Sequence, residues 1–264
     1  MSAGDAVPRD TYRSVREAAS RLNRQLGGSG LVMLSFGNAS VVDPDLGVIA
    51  IKPSGIPCEA VEPDQIVVVG LADGAPRAGS LRPSSDTPTH LVLYRAFPLA
   101  AAVIHTHSPS ASSWAQARRA ITCLGTTHAD HFGDAIPVTR DLSFDEIGSD
   151  YTANTGRVIT ELFGPAGLDP TRVPAALVAG HGPFAWGATP AVALENAVAL
   201  ELVASMALAT LQLRPEAPPL DASLLAHHHA RKHGPSATYG QTTSATAGDR
   251  PTASRRSAPR RPTE

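Results

Sequence analysis

Leu99-Ala100-Ala101-Ala102-Val103-Ile104-His105-Thr106-His107 is an apolar run that ends on two histidines. Leu99–Ile104 reads as a buried strand. Alternate side chains along a strand share a face, so His105 and His107 point the same way. Two imidazoles side by side at the exit of a buried strand form half of a metal site. The pair also reads as hydrogen-bonded histidines on a polar face, because each ring carries two nitrogens that need partners.

Outward from this run, helical and strand patterns alternate, as in one α/β unit. Upstream, Ser84-Ser85-Asp86-Thr87-Pro88 has the form of a helix start, and the helix runs to about Phe97, where Pro98 stops it. Tyr12–Leu26 reads as a helix closed by Gly27-Gly28. Leu31–Phe36, Val48–Ile51 and Ile66–Val69 read as strands. Downstream come a helix from about Ser110 to Ala117 and two strands, Ala175–Ala179 and Phe184–Trp186, broken by Gly180-His181-Gly182-Pro183. Thr189–Leu213 is a long helix, apolar nearly all round, suited to the core or a subunit interface. A last helical stretch carries His227, His228, His229 and His233.

Composition narrows the function classes. A chain of 264 residues can bury a substantial core. A net charge of -2 argues against a general nucleic-acid binder. No stretch approaches about 18 consecutive apolar residues without a polar interruption, so no membrane span is expected. The first residues lack the basic-then-apolar order of a secretory signal. Cys58 and Cys123 are too few and too far apart for a disulfide framework. The expectation is a cytoplasmic globular protein. Residues 242–264 are Ser-, Thr-, Pro- and Arg-rich without a large apolar side chain, the composition of a disordered tail.

A catalytic metal site usually has three protein ligands and an open position. His181, between two glycines at a tight turn, is a candidate third ligand, and it also reads as an exposed turn residue. Asp86 is a candidate fourth ligand or electrostatic neighbour, and helix capping explains it as well. Gly37-Asn38, Ser54-Gly55 and Ser84-Ser85 are small polar turns whose N–H groups can cradle an anion; each also serves as a plain turn or cap. Lys52 can add a cation or stand as an exposed strand end. Thr126–His131 reads as a polar loop. Tyr239 is a docking anchor or, held near a metal-bound substrate, an acid or base.

Taken together, the segments resemble the class II aldolase/adducin superfamily, and within it the L-ribulose-5-phosphate 4-epimerases. The carrying stretches are Gly37-Asn38-Ala39-Ser40, Ile51-Lys52-Pro53-Ser54-Gly55, Arg82-Pro83-Ser84-Ser85-Asp86-Thr87-Pro88-Thr89-His90 and His105-Thr106-His107-Ser108. Further along come Gly125-Thr126-Thr127-His128-Ala129-Asp130, His181-Gly182-Pro183-Phe184-Ala185-Trp186-Gly187 and Arg231-Lys232-His233-Gly234 leading to Tyr239-Gly240-Gln241. The resemblance implies an α/β three-layer fold whose central, mostly antiparallel sheet is flanked by helices, over residues 1–241. It implies zinc or another divalent ion on His105, His107 and His181 with Asp86 alongside. Gly37, Asn38, Lys52, Ser54, Gly55, Ser84 and Ser85 would bind a sugar phosphate.

Asp130 and Tyr239 would be the acid–base pair, facing each other from different chains of a homotetramer. The implied reaction inverts C4 of L-ribulose 5-phosphate by retro-aldol cleavage and re-addition, a step of pentose catabolism such as that of arabinose. Phe36 stands where the family often has tryptophan, Gly180 where it often has serine, and Thr238 where it often has tyrosine. The rival readings are an aldolase of the L-fuculose-1-phosphate type, which resembles the chain in its metal site but carries glutamate at position 86, and an adducin-like scaffold without the metal ligands.

Overall fold

The computed structural model describes residues 11–164, 167–234 and Ala237. Its sheet is built from β1 (Asn38–Asp43), β2 (Val48–Ile51), β3 (Val67–Gly70), β4 (Pro76–Ala78), β5 (Ala102–His105), β6 (Ala175–Leu177) and β7 (Pro183–Gly187). The seven strands lie in the order β4-β3-β2-β1-β5-β7-β6, and every pairing is antiparallel. Strands β2, β3 and β5 read as nearly unbroken apolar runs because both faces are covered. Val48, Ala50, Ala102 and Ile104 belong to one core, which includes α1 (Arg13–Gly27), α3 (Pro109–Gln116) and α7 (Pro190–Leu213). The alternate residues Ile49 and Val103 belong to the other, with α2 (Thr87–Ala96) and α6 (Tyr151–Thr160). Helices on both faces of one sheet make the three layers expected from the resemblance.

Three sequence expectations need correction. Leu31–Phe36 is not a strand: Leu34 takes φ 58°, and Met33, Leu34 and Phe36 are exposed. A left-handed residue breaks the alternation that a ladder needs, so pairing starts only at Asn38. Thr126–His131 is a short helix, α4, and not a loop. It packs against α8 (Ala222–His233), a contact that propensity does not report. The run ahead of the two histidines also shortens, since Leu99 is exposed and β5 begins at Ala102.

Helix α5 (Phe144–Gly148) starts at a capping box, in which Ser143 Oγ accepts from the Glu146 N–H and the Glu146 carboxylate accepts from the Ser143 N–H, and α6 packs against α2. A side chain at Gly156 would place its Cβ 2.7 Å from Val92 Cβ, so the bare glycine lets α6 lie close on α2. Helix α7 is, among the described residues, the one helix long and apolar enough to cross a membrane by length and composition. One face of it is core, through Ala193, Ala197, Leu200, Val203, Ala204 and Ala207. Val192, Val198, Leu202 and Met206 lie exposed on it.

Candidate metal centre and active site

Strand β5 delivers His105 to the end of the sheet, with His107 two residues further on. The His105 Nδ1 proton is donated to the Pro183 carbonyl at 2.9 Å, which leaves the Nε2 lone pair free for a cation. His107 Nε2 lies 3.1 Å from it. His181 arrives from the turn between β6 and β7, where Gly180 has φ 70° and the His181 N–H donates to the Val178 carbonyl at 3.0 Å. One ligand atom from each of the three histidines lies within 4.8 Å of the others.

The donor set fits a metal ion. Burial holds His105 down to about 3; its neighbours His181 and His107 add to this, and Asp86 opposes it. Burial also lowers His181, with His107 adding to the effect. The His105 and His181 rings are therefore neutral near pH 7, as metal ligation requires. His181 Nδ1 is buried and has no partner, a polar atom that a cation could satisfy, and the Nε2 atoms of His105 and His107 lie 3.1 Å apart. His107 is exposed, so one side of the cluster stays open to an incoming molecule. The three histidines can bind a metal ion.

Asp86 occupies the N-cap position of α2, yet its side chain makes no capping bond. Its carboxylate instead accepts from Asn38 Nδ2 at 2.7 Å. Burial pushes this carboxyl up, but His105, His90, the Asn38 hydrogen bond and His181 outweigh it and keep it ionised below the usual range. It stands beside the histidine cluster and is not one of the atoms that compose it.

A cavity of about 320 Å³ opens over these groups. Gly37, Asn38, Lys52, Ser54, Gly55, Ser84, Ser85 and Asp86 line it together with all three histidines. The small polar turns, each ambiguous in the sequence, thus converge on one space. The Ser54 N–H donates to the Arg82 carbonyl and the Ser84 N–H to the Lys52 carbonyl, both at 3.0 Å, which ties the two serine turns together. At Gly37, with φ 78°, a Cβ would fall 2.6 Å from Val32 Cγ1 and 3.0 Å from the His105 carbonyl, so only glycine fits.

Lys52 is not an exposed strand end. It is 2 % exposed, and its Nζ donates to the Ile56 carbonyl at 2.6 Å. Burial lowers its pKa, against the pull of Cys58, Asp86 and Glu59. Phe36 stacks on His107, with centroids 5.8 Å apart, and lines the same cavity. A larger cavity of about 700 Å³ lies elsewhere, lined by Phe97, Leu99, Trp186 and other largely apolar groups, and holds none of the cluster.

Asp130 does not line the site cavity of its own chain. It sits on α4, where its carboxylate accepts from His228 Nδ1 at 2.9 Å and Arg231 at 3.3 Å, both on α8. His228 was visible in the sequence only as one of a run of histidines. Tyr239 lies outside the described residues, as do residues 242–264.

The model of the class II aldolase and adducin N-terminal domain matches residues 17–208. L-ribulose-5-phosphate 4-epimerase UlaF of Salmonella paratyphi C (strain RKS4594) is 47% identical over 219 residues, covering 83% of this chain and 95% of that protein. Among solved structures, an L-fuculose 1-phosphate aldolase matches with a TM-score of 0.70 at 21% identity, covering 86% of this chain and 99% of its own, a likeness of fold. YgbL of Escherichia coli matches with a TM-score of 0.66 at 26% identity, covering 82% and 98%.

Proposed function

The chain belongs to the class II aldolase and adducin family, and on that premise we propose that it is an L-ribulose-5-phosphate 4-epimerase, interconverting L-ribulose 5-phosphate and D-xylulose 5-phosphate. The observation that carries this reading is the convergence of three histidines, a buried lysine and three small polar turns on one cavity. The 47% identity to an epimerase points the same way. The complete histidine set argues against an adducin-like scaffold, and Asp86, in place of glutamate, against the fuculose-type aldolase.

The substrate's C4 is not adjacent to its carbonyl, so its hydrogen is not acidic, and inversion by deprotonation is closed. Breaking the C3–C4 bond is the open route. A divalent ion, zinc in this reading, held by His105, His107 and His181 with Asp86 beside it, would supply Lewis acidity toward the oxygens of the three-carbon part. Gly37, Asn38, Ser54, Gly55, Ser84 and Ser85 orient the phosphate, Ser54 and Ser84 through their hydroxyls because their N–H groups are taken by the Arg82 and Lys52 carbonyls, and Lys52 supplies a positive charge. One acid–base group removes the C4 hydroxyl proton as the C3–C4 electron pair passes to the three-carbon fragment. Glycolaldehyde phosphate then turns, its other face is attacked, and the second group returns a proton to the new C4 oxygen. Asp130 and Tyr239 fill these two roles.

Because Asp130 lies away from its own chain's cavity, the reading requires a neighbouring subunit to complete the site, as in a homotetramer. The exposed apolar face of α7 is suited to such a contact. Residues 1–241 form the catalytic domain in this reading, and residues 242–264 are an appendage. The cytoplasm is the compartment that retains its charged, impermeant substrate.

The deciding experiment is a coupled epimerase assay of purified protein with zinc, with and without a chelator. Sustained release of dihydroxyacetone and glycolaldehyde phosphate without epimer would replace the proposal with an aldolase.

A further inference from the structure

One motif residue, His90, has no part in the reaction as read above, although it is buried directly behind the site. Helix α2 places Asp86, His90 and Tyr94 one turn apart on a single face. Strand β1 places Asn38 and Ser40 on the face opposite them. The two rows make a polar seam inside an otherwise apolar layer. Asn38 holds Asp86 at 2.7 Å, Ser40 Oγ contacts His90 Nδ1 at 2.7 Å, and Tyr94 Oη contacts Ser40 Oγ at 2.8 Å. The Tyr94 hydroxyl also donates to the Ser40 carbonyl at 2.9 Å. His90 is wholly buried, and its Nε2 has no partner. Asn38 Oδ1 is buried without a partner as well.

Two proton arrangements satisfy the contacts. In one, His90 Nδ1–H donates to Ser40, Ser40 to Tyr94, and Nε2 is left as a bare lone pair. In the other, Ser40 donates to Nδ1, the Tyr94 proton is shared by the two Ser40 oxygens, and Nε2 carries a proton. Asp86, one turn back on the same face, is close enough for its charge to act on His90. A lone pair toward a half-buried carboxylate is repulsive, whereas an N–H is attractive and aligns the whole chain of donors toward Asp86. A single water accepting from Nε2–H can donate to the carboxylate and to Asn38 Oδ1, which satisfies both orphan atoms.

We propose that His90 is a positioning residue for Asp86: its Nε2–H, through one bridging water, holds the carboxylate beside the histidine cluster, while the Asp86 charge selects the tautomer and Ser40 donates to Nδ1 at the other end of the ring. This rests on the metal-site reading above. His90 then couples the register of α2 on β1 to the placement of the negative charge next to the ion.

The test combines a spectroscopic signature with two variants. Long-range 1H–15N spectra of the zinc-loaded parent protein report which nitrogen of His90 carries the proton, and Nε2–H is expected. His90→Asn keeps an amide where Nδ1 lies and loses the Nε2 end; His90→Gln keeps the Nε2 end. Zinc dissociation constants from equilibrium dialysis should weaken about 10–100-fold in His90→Asn and stay within about 3-fold of the parent in His90→Gln. kcat should fall in the same order, with KM little changed. An Nδ1–H tautomer overturns the proposal, as does parent-like zinc binding in His90→Asn or equal loss in both variants. If His90→Asn does not fold, the tautomer of the parent decides. A parent protein that binds no zinc overturns the metal reading itself and is distinguished from these outcomes by the same dialysis.

Discussion

Asn38 and Asp86 are 48 residues apart in the chain, and a 2.7 Å hydrogen bond from Asn38 Nδ2 to the Asp86 carboxylate joins the first strand to the start of α2. The two sides of the cavity, one from β1 and one from the serine turn ahead of α2, are held together at this bond. Replacing Asn38 by Ala leaves a half-buried carboxylate without its donor, which costs about 1–3 kcal/mol. Thermal unfolding should show that loss, and zinc affinity should weaken with it. An unshifted melting curve would remove the bond from the stability of the site.

His105→Ala should abolish metal retention without unfolding the protein. The ring contributes a ligand atom and stacks on Phe184 at 4.2 Å, so a modest stability loss is expected alongside. Elemental analysis after gel filtration measures the bound zinc. Unchanged content would refute the ligand assignment.

Stability of the metal-free protein should fall in mild acid. Burial holds His90 down to about 4, whereas an unfolded histidine titrates near 6.5. Between those values the unfolded chain binds a proton that the folded chain refuses, so unfolding free energy drops as pH falls from about 6.5 toward 4. His90 alone accounts for about 2 kcal/mol between pH 7 and pH 5. The depressed His105, His128 and His131 carry the same sign. Urea titrations at the two pH values measure it, and a flat or rising stability would contradict the burial of a neutral His90.

Tyr239→Phe and Asp130→Asn should each slow epimerisation by about 10²–10⁴-fold, the usual worth of a positioned acid or base. Zinc content should stay at the parent level, since the three histidines that would hold the ion are untouched. Normal turnover in either variant would remove that residue from the mechanism.

Lys52→Met should raise KM for the phosphorylated substrate more than it lowers kcat. The methionine stem fills much of the same buried space, so the fold is retained while the charge is lost. Steady-state kinetics separate the two effects, and a parent-like KM would take Lys52 out of phosphate binding.

Much of the site was legible in the chain because its elements are local. The period of two places His105 and His107 on one side, and glycines on either side of His181 announce a tight turn. Small polar pairs ahead of a helix or after a strand mark places where N–H groups point outward. Leu31–Phe36 differs from the strand expected because an apolar run does not reveal that Leu34 enters the left-handed region. Thr126–His131 was misread because α8 stabilises the short helix from outside its own sequence.

By itself the sequence determined which residues could serve a metal and a phosphate, and its family resemblance implied the mostly antiparallel sheet that carries them. Only the tertiary structure decided their partners. It turned Asp86 from a cap into the acceptor of Asn38, buried Lys52, set His90 against Ser40, and left Asp130 with His228 outside its own cavity. Periodicity encodes the face on which a side chain lies. Which distant group satisfies its polar atoms depends on how the layers pack, and that is settled by burial across the whole chain.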